Sequence, residues 1–144
     1  MSELARDDVA SLVLTQSQLD EVVAACLRAV PDEGCGLVAG DPMTGVVRRV
    51  YPTRNAAGSS RVYTVDPLDH LRAERDAEAS GSSVIGVFHS HTHTDPYPSP
   101  TDVDQAPDPT WHYVIVSLRL EAASLRSYRI AGGVATEEAV VVTD

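Results

Sequence analysis

The chain has 144 residues, 43% of them hydrophobic, which is enough for one domain with its own core and too few for two ordinary domains. Its 21 acidic residues outnumber its 11 basic ones, and the formal net charge of -10 disfavours binding to nucleic acids and to anionic membranes. We find no run long and apolar enough for a membrane helix and no signal peptide, so we expect a cytoplasmic protein. Cys26 and Cys35 are too few for a disulfide framework, and we expect two buried thiols.

The first third of the chain predicts a strand followed by a long helix. Residues 1–10 are polar, and we expect them to be loosely held. Residues 12–14 are typical of a short strand. Thr15 and Gln18 then form a capping box at the start of an amphipathic helix, which we expect to end at Pro31.

The middle of the chain predicts a hairpin, a further strand and a second helix. Residues 35–40 and 45–51 are β-rich and are joined by an Asp-Pro turn. Residues 61–65 predict another short strand. Asp66 is a good N-cap for a helix that ends at Gly81.

The rest of the chain predicts four strands and one long loop. Residues 83–91 form an apolar strand, after which come about twenty loop residues, a length that usually signals a functional loop. Three strands follow, at 111–118, 124–130 and 134–142. The order of elements predicts an α/β fold for residues 1–144: one domain with a mixed, mostly antiparallel sheet flanked by helices.

A histidine-rich segment, GVFHSHTHTDPYPSPTD, spans the end of that apolar strand and the loop after it. His89 and His91 are two residues apart in a strand, so both side chains project to the same side of the sheet. Two neutral imidazoles are half of a tetrahedral zinc site, and a catalytic site adds one protein ligand and leaves a position for water. Spacing alone does not choose the third ligand among the loop candidates His93, Asp95, Asp102 and Asp104.

Two further features fit metal chemistry. Ser99, Pro100 and Asp102 have the pattern of a capping box at the start of a short helix, which would hold Asp102 rigidly. Glu33 lies between a helix end and a strand start, where active-site groups are often found, and is a candidate general base. Two histidines and a carboxylate also suit an iron oxygenase, although that chemistry does not require such a base.

The pattern of these residues resembles the signature of the JAMM (MPN+) metalloproteases. That signature is a glutamate, then a pair of histidines separated by one serine or threonine, then seven residues, a serine, two residues and an aspartate. Glu33, His89, His91, Ser99 and Asp102 fill it at the required spacing. The segments PDEGCGLVAG, HSHTHTDPYPSPTDV, HYVIVS and LRSYRI are similar to the small bacterial Mec-type peptidases of this family.

The resemblance implies both a site and a reaction. It implies that His89, His91 and Asp102 hold Zn²⁺, that Glu33 is the general base and acid, and that Ser99 helps to hold the water or oxyanion. His93 would then be a bystander or a supporting group. The implied reaction is hydrolysis after the C-terminal Gly-Gly of a ubiquitin-like sulfur carrier of the ThiS, MoaD or CysO kind, releasing cysteine or a short extension for cysteine biosynthesis.

The same resemblance limits the substrate. Thr92 stands where a proline often follows the second histidine in the ubiquitin-cleaving branch, and the chain has no room for the insertions of that branch. We therefore do not expect cleavage of linked ubiquitin. The alternative function is a non-catalytic MPN-type interaction domain, but such domains usually lack the metal ligands.

Overall fold

A computed structural model describes residues 11–144 of the chain, and one seven-stranded sheet runs through them. The loose segment predicted for residues 1–10 lies outside the described residues. Along the chain the elements are β1 (Ser11–Thr15), α1 (Gln16–Ala29), β2 (Cys35–Gly40), β3 (Val47–Thr53), α2 (Pro67–Ala79), β4 (Ser83–His91), α3 (Pro100–Asp104), β5 (His112–Ser117), β6 (Ser124–Ala131) and β7 (Val134–Thr143).

The strands lie in the order β1-β7-β6-β5-β4-β2-β3. The pairs β1–β7 and β4–β5 are parallel, and the other neighbouring pairs are antiparallel. The predicted mixed, mostly antiparallel sheet is therefore confirmed. β4 lies between β2 and β5, so the strand that carries the histidines is central rather than at an edge.

The helices begin where the sequence predicted. Thr15 caps α1 by accepting a hydrogen bond from the Gln18 backbone N–H, and the Gln18 side chain returns a bond to the Thr15 backbone. Asp66 caps α2 by accepting from the next two free N–H groups, and Ser99 caps α3 in a second capping box. These local bonds satisfy backbone donors that a helix N-terminus leaves unpaired.

Alternate residues of the central strands enter two separate cores, one on each face of the sheet. Val38 and Phe88 pack on the side of α1, whereas Leu37 and Val87 pack on the side of α2. Since side chains alternate along β4, the two histidines that follow lie on the α2 face, close to where the strand ends. The sheet thus positions the histidines beside the loop that follows β4.

The strand predicted for residues 61–65 is wrong. The segment forms only an isolated bridge between Asn55 and Val65. The Asn55 side chain donates to the Val62 carbonyl at 3.1 Å and accepts from the Thr64 N–H at 2.9 Å, both ordinary lengths for such bonds. Backbone groups that a strand would pair with a neighbour are bonded to one side chain, so the segment folds as a loop.

Two smaller expectations concern the cysteines and the membrane. Cys26 and Cys35 are free, buried thiols, as predicted, and the Cys35 sulfur lies 3.4 Å from the Thr53 hydroxyl. Within residues 11–144, none of the helices combines the length and the apolar character that a membrane span requires.

Candidate metal centre

Three ligand-type atoms converge at the end of β4. The Nε2 atoms of His89 and His91 are 3.2 Å apart. Asp102 Oδ2 lies 3.2 Å from the first of these nitrogens and 3.1 Å from the second. All three side chains are more than nine-tenths buried, at 3%, 6% and 9% exposure. The structure therefore brings together the two strand histidines and one of the loop acids.

The spacing of these atoms fits a single small cation. Zinc–nitrogen bonds of about 2.0–2.1 Å in a tetrahedron place neighbouring ligand atoms about 3.3 Å apart. The three observed separations, 3.1 to 3.2 Å, are close to that value. Among the described residues, no other group of three acids, histidines or cysteines has ligand atoms converging in this way.

The remaining loop candidates lie outside this cluster. His93 and Asp104 are exposed. The Asp95 carboxylate pairs with Arg119 at 2.6 Å instead of turning inward. Strand alternation had left His93 a possible third ligand, but β4 ends at His91, so the alternation does not extend to it.

Hydrogen bonds orient two of the three candidate ligands. His91 Nδ1 donates to the Asp95 carbonyl at 2.9 Å, so that Nε2, once it loses its proton, can direct its lone pair into the cluster. Asp102 Oδ2 accepts from the Ser99 backbone N–H at 2.8 Å, as part of the capping box of α3. The short helix thus fixes the carboxylate against the strand.

The charges of the three groups favour a cation between them. Burial would raise the pKa of Asp102, but its hydrogen bonds with His89 and His91 hold that pKa well below the usual range. Burial lowers the pKa of His89, whereas for His91 the bonds to Asp102 and to the Asp95 carbonyl outweigh burial and raise the pKa. A metal ion binds an ionised carboxylate and neutral imidazoles. Binding of an ion here would therefore displace the proton from His91.

Glu33 is buried in the link between α1 and β2, with 4% exposure. Its Oε1 atom has no hydrogen-bond partner in the part of the chain that the structure describes. The pKa of Glu33 is raised to about 7, mainly by burial. Of the nearby charges, His91 lowers this pKa and the Asp102 carboxylate raises it. A buried, unpaired carboxyl group coupled to the cluster is suited to exchange a proton near neutral pH.

Ser90 anchors the Glu33 segment to the sheet, a role that the sequence did not predict. Its hydroxyl accepts from the Gly34 N–H at 2.8 Å, and its own N–H donates to the Gly34 carbonyl at 3.0 Å. A Cβ at Gly34 would lie 2.7 Å from the Cys26 Cα, so glycine permits this close approach to α1. The available signal was that a residue between two inward histidines must face the other side of the sheet, where a buried hydroxyl requires a partner.

The loop formed by residues 55–65, called here the Asn55 loop, covers the other side of the cluster. The Glu33 N–H donates to the Ser59 carbonyl at 2.8 Å, and Asn55 Nδ2 donates to the Glu33 carbonyl at 3.0 Å. Tyr63 stacks on the His89 ring, with centroids 4.2 Å apart and planes at 16°. No sequence pattern indicated this loop, because its contacts depend on the fold.

An open cavity of about 390 Å³ lies in front of the cluster, and Glu33, His91 and Ser99 form part of its wall together with His93. The Ser99 hydroxyl oxygen accepts from the Asp102 N–H at 3.0 Å, which leaves its proton available to another acceptor. The five residues singled out by the motif thus lie in the cluster or on the wall of this cavity.

We expect Ser90→Ala to lower both stability and any activity that depends on Glu33. It leaves the buried Gly34 N–H without a partner, which costs about 1–3 kcal/mol, and loosens the segment that carries Glu33. Thermal unfolding measures the loss of stability, and the rate per folded molecule measures the loss of activity. Metal content should not change. Ser127→Ala is the control: Ser127 is equally buried and donates to Glu138 at 2.7 Å, so its loss should lower the melting temperature without lowering the rate per folded molecule. Equal rate losses in the two variants would contradict the anchoring role.

The chain is similar to known proteins in both sequence and structure. Residues 15–131 match the family described as prokaryotic homologs of the JAB domain. The CysO-cysteine peptidase of Mycobacterium tuberculosis (strain CDC 1551 / Oshkosh) is 39% identical over 142 residues, covering 98% of this chain and 97% of that protein.

Two solved structures have similar folds. The solution structure of protein DSY2949 from Desulfitobacterium hafniense is 33% identical, with a TM-score of 0.85 over 92% of this chain and 93% of that one. A JAB1/MPN domain protein from Archaeoglobus fulgidus is 19% identical, with a TM-score of 0.59 over 94% of this chain and 99% of that one, which supports the fold alone. The match over most of the chain and the near full-length identity agree with the motif: this chain belongs to the prokaryotic JAB-domain branch of the JAMM (MPN+) family.

Proposed function

We propose that this protein is a zinc-dependent peptidase. It would hydrolyse the bond after the C-terminal Gly-Gly of a ubiquitin-like sulfur carrier and release cysteine or a short extension. The observation that carries the proposal is the convergence of His89, His91 and Asp102 beside the buried, unpaired Glu33. The carrier as substrate is supported by the near full-length similarity to a CysO-cysteine peptidase.

We propose zinc because the donor set suits it. Two imidazole nitrogens and one carboxylate oxygen are the ligand types of catalytic zinc sites, which keep the fourth position open. When bound, Zn²⁺ lowers the pKa of a water molecule toward about 7 and polarises the scissile carbonyl. The ion would be held by His89, His91 and Asp102. The bond to the Asp95 carbonyl would keep His91 in place, and the bond from the Ser99 N–H would keep Asp102 in place.

The other residues would move protons and stabilise charge. Glu33 accepts a proton from the attacking water and returns it to the amine of the released residue. Because burial raises the pKa of Glu33 to about 7, it can both accept and return a proton near neutral pH. Ser99 lines the same cavity, and its hydroxyl would donate to the oxyanion that develops on the scissile carbonyl.

A non-catalytic interaction domain is the alternative. Such a domain needs neither converging ligand atoms nor a buried carboxyl group without a partner, and burying these polar groups without a function costs stability. An iron oxygenase would use the same three ligands but would leave Glu33 without a role. Metal analysis of the isolated protein separates these readings, and we expect about one zinc ion per chain.

The substrate is tested by incubating the protein with candidate sulfur carriers extended beyond their terminal Gly-Gly and measuring carrier mass over time. We expect a loss equal to the mass of the extension, with the new C-terminus at the second glycine. Glycine suits this position because residues without side chains can pass close to the metal site.

Two controls define the specificity. A free peptide with the same C-terminal sequence should be cut much more slowly, because the folded carrier adds binding surface. Ubiquitin dimers should remain intact. Equal cleavage of peptide and carrier would indicate a general peptidase, and efficient cleavage of ubiquitin dimers would contradict the carrier as the substrate.

A further inference from the structure

We propose that Arg61 binds the free α-carboxylate of the residue that the enzyme releases. Arg61 would then be the residue that selects short C-terminal extensions over chains that continue beyond the scissile bond. This inference rests on the proposed function, since it assigns a binding group to the released side of the same substrate.

The proposed mechanism places the released residue beside Glu33. Its amine must come within hydrogen-bond reach of Glu33, about 2.6–3.2 Å, because Glu33 gives it a proton. Glu33 opens into the cavity of about 390 Å³, and Arg61 and Ser60 form part of the same wall. In an amino acid the α-carboxylate is attached to the carbon that carries the amine, so it enters this cavity with the amine.

A cation beside Glu33 would favour the incoming carboxylate. The chain carries a net charge of -10, Glu33 adds a negative charge whenever it is ionised, and Asp102 would offset part of the charge of the bound ion. Arg61 is the one arginine on the cavity wall among the residues that the structure describes. Its guanidinium group has the planar, forked arrangement of donors that matches a carboxylate.

The Arg61 side chain is available for this role. It is exposed, and within residues 11–144 no acid forms an ion pair with it. Several other arginines are already paired with acids: Arg49, Arg54, Arg119 and Arg126. An unpaired cation next to an open cavity in an acidic protein is suited to an anionic ligand.

The backbone of Arg61 is held at a fixed position relative to Glu33. The Arg61 N–H donates to the Ser59 hydroxyl at 3.0 Å, and the Ser59 carbonyl accepts from the Glu33 N–H at 2.8 Å. Asn55 ties the same loop together through bonds to the Glu33 and Val62 carbonyls. The Glu33 segment therefore fixes the backbone of Arg61, and only its side chain has to be ordered when a ligand binds. This reduces the entropy lost on binding.

The test uses a sulfur carrier extended by one cysteine in two forms, one with a free C-terminal carboxylate and one with a carboxamide. Wild-type protein should cut the carboxylate form with a kcat/KM about ten- to hundred-fold higher, the factor that charge-assisted hydrogen bonds contribute. Arg61→Gln should lose that preference by slowing on the carboxylate form alone. Arg48→Gln is the matched control, because Arg48 is exposed near the start of β3, at the opposite end of the sheet, and should behave as wild type.

Binding without turnover gives a second readout. In a Glu33→Gln background, calorimetry should show tighter binding of the carboxylate form, and adding Arg61→Gln should make the two affinities equal. Metal content should not change.

If the wild type cuts both forms equally, or Arg61→Gln keeps the preference, the inference is wrong while the proposed function stands. If the wild type cuts neither form, the proposed function fails and the inference fails with it.

Discussion

Asp102→Ala is expected to abolish metal binding and, with it, hydrolysis. The substitution removes one of the three proposed ligands and the only anion among them, and it leaves two neutral imidazoles facing a void. His89→Ala and His91→Ala should have the same result, because two remaining ligands do not hold a zinc ion against water. Metal content per chain after gel filtration measures the effect. We expect a fall from about one ion to none.

His93→Ala is the matched control for these variants. His93 is only two residues beyond a proposed ligand, but its side chain is exposed and lies outside the cluster. It should therefore keep the ion. If zinc is retained by Asp102→Ala and lost by His93→Ala, the proposed ligand set is wrong.

Local signals were sufficient for most of the fold. The capping boxes at Thr15 and Ser99 depend on residues three positions apart, so the sequence alone shows where α1 and α3 begin. Strand alternation likewise places His89 and His91 on one face, because the side-chain period of a strand is two. Such features depend on residues close together in the sequence and can be predicted without the tertiary structure.

The third ligand could not be chosen in this way. His93, Asp95, Asp102 and Asp104 all lie in one loop, and the path of that loop decides which of them returns to β4. The resemblance to the JAMM signature indicated Asp102, and in the structure the capping box turns its carboxylate toward Ser99 and the strand. Within residues 11–144, none of the remaining candidates has such a bond to orient it inward.

The contacts that hold the Glu33 segment in place could not be predicted from local sequence, for another reason. The bond between Gly34 and Ser90 joins residues 56 positions apart, so neither residue indicates its partner. The error at residues 61–65 has a related cause. The segment alternates like a strand, but Asn55 takes its backbone hydrogen bonds, and a side chain that competes with a sheet is not visible in the alternation.

Glu33→Gln is expected to separate metal binding from chemistry. Glutamine has nearly the same shape and leaves all three proposed ligands in place, so the ion should remain. The amide cannot accept the proton of the attacking water, and the hydrolysis rate should fall by about 10² or more, the usual contribution of a general base. Metal content and the single-turnover rate on an extended carrier measure the two effects.

The metal-free form of this variant should also be no less stable than wild type at alkaline pH. Burial raises the pKa of Glu33 from its ordinary value of 4.5 to about 7. Folding therefore favours the protonated form, and that contribution is fully present below pH 4.5 and lost as the pH rises to about 7. Glutamine is neutral at every pH, so the variant keeps this contribution to stability over the whole range. Melting temperatures of both metal-free proteins at pH values on either side of this range test the sign.

Asp32→Asn is the control for the loss of a negative charge at this position in the chain. Asp32 is the neighbouring acid and is partly exposed, whereas Glu33 is buried beside the cluster. The control should keep both the metal and the rate, because a partly exposed charge outside the cavity contributes little to the reaction. Near-normal turnover in Glu33→Gln would remove Glu33 from the mechanism. Loss of the metal in that variant would instead mean that Glu33 helps to hold the ion, and the division between three ligands and one base would then be wrong.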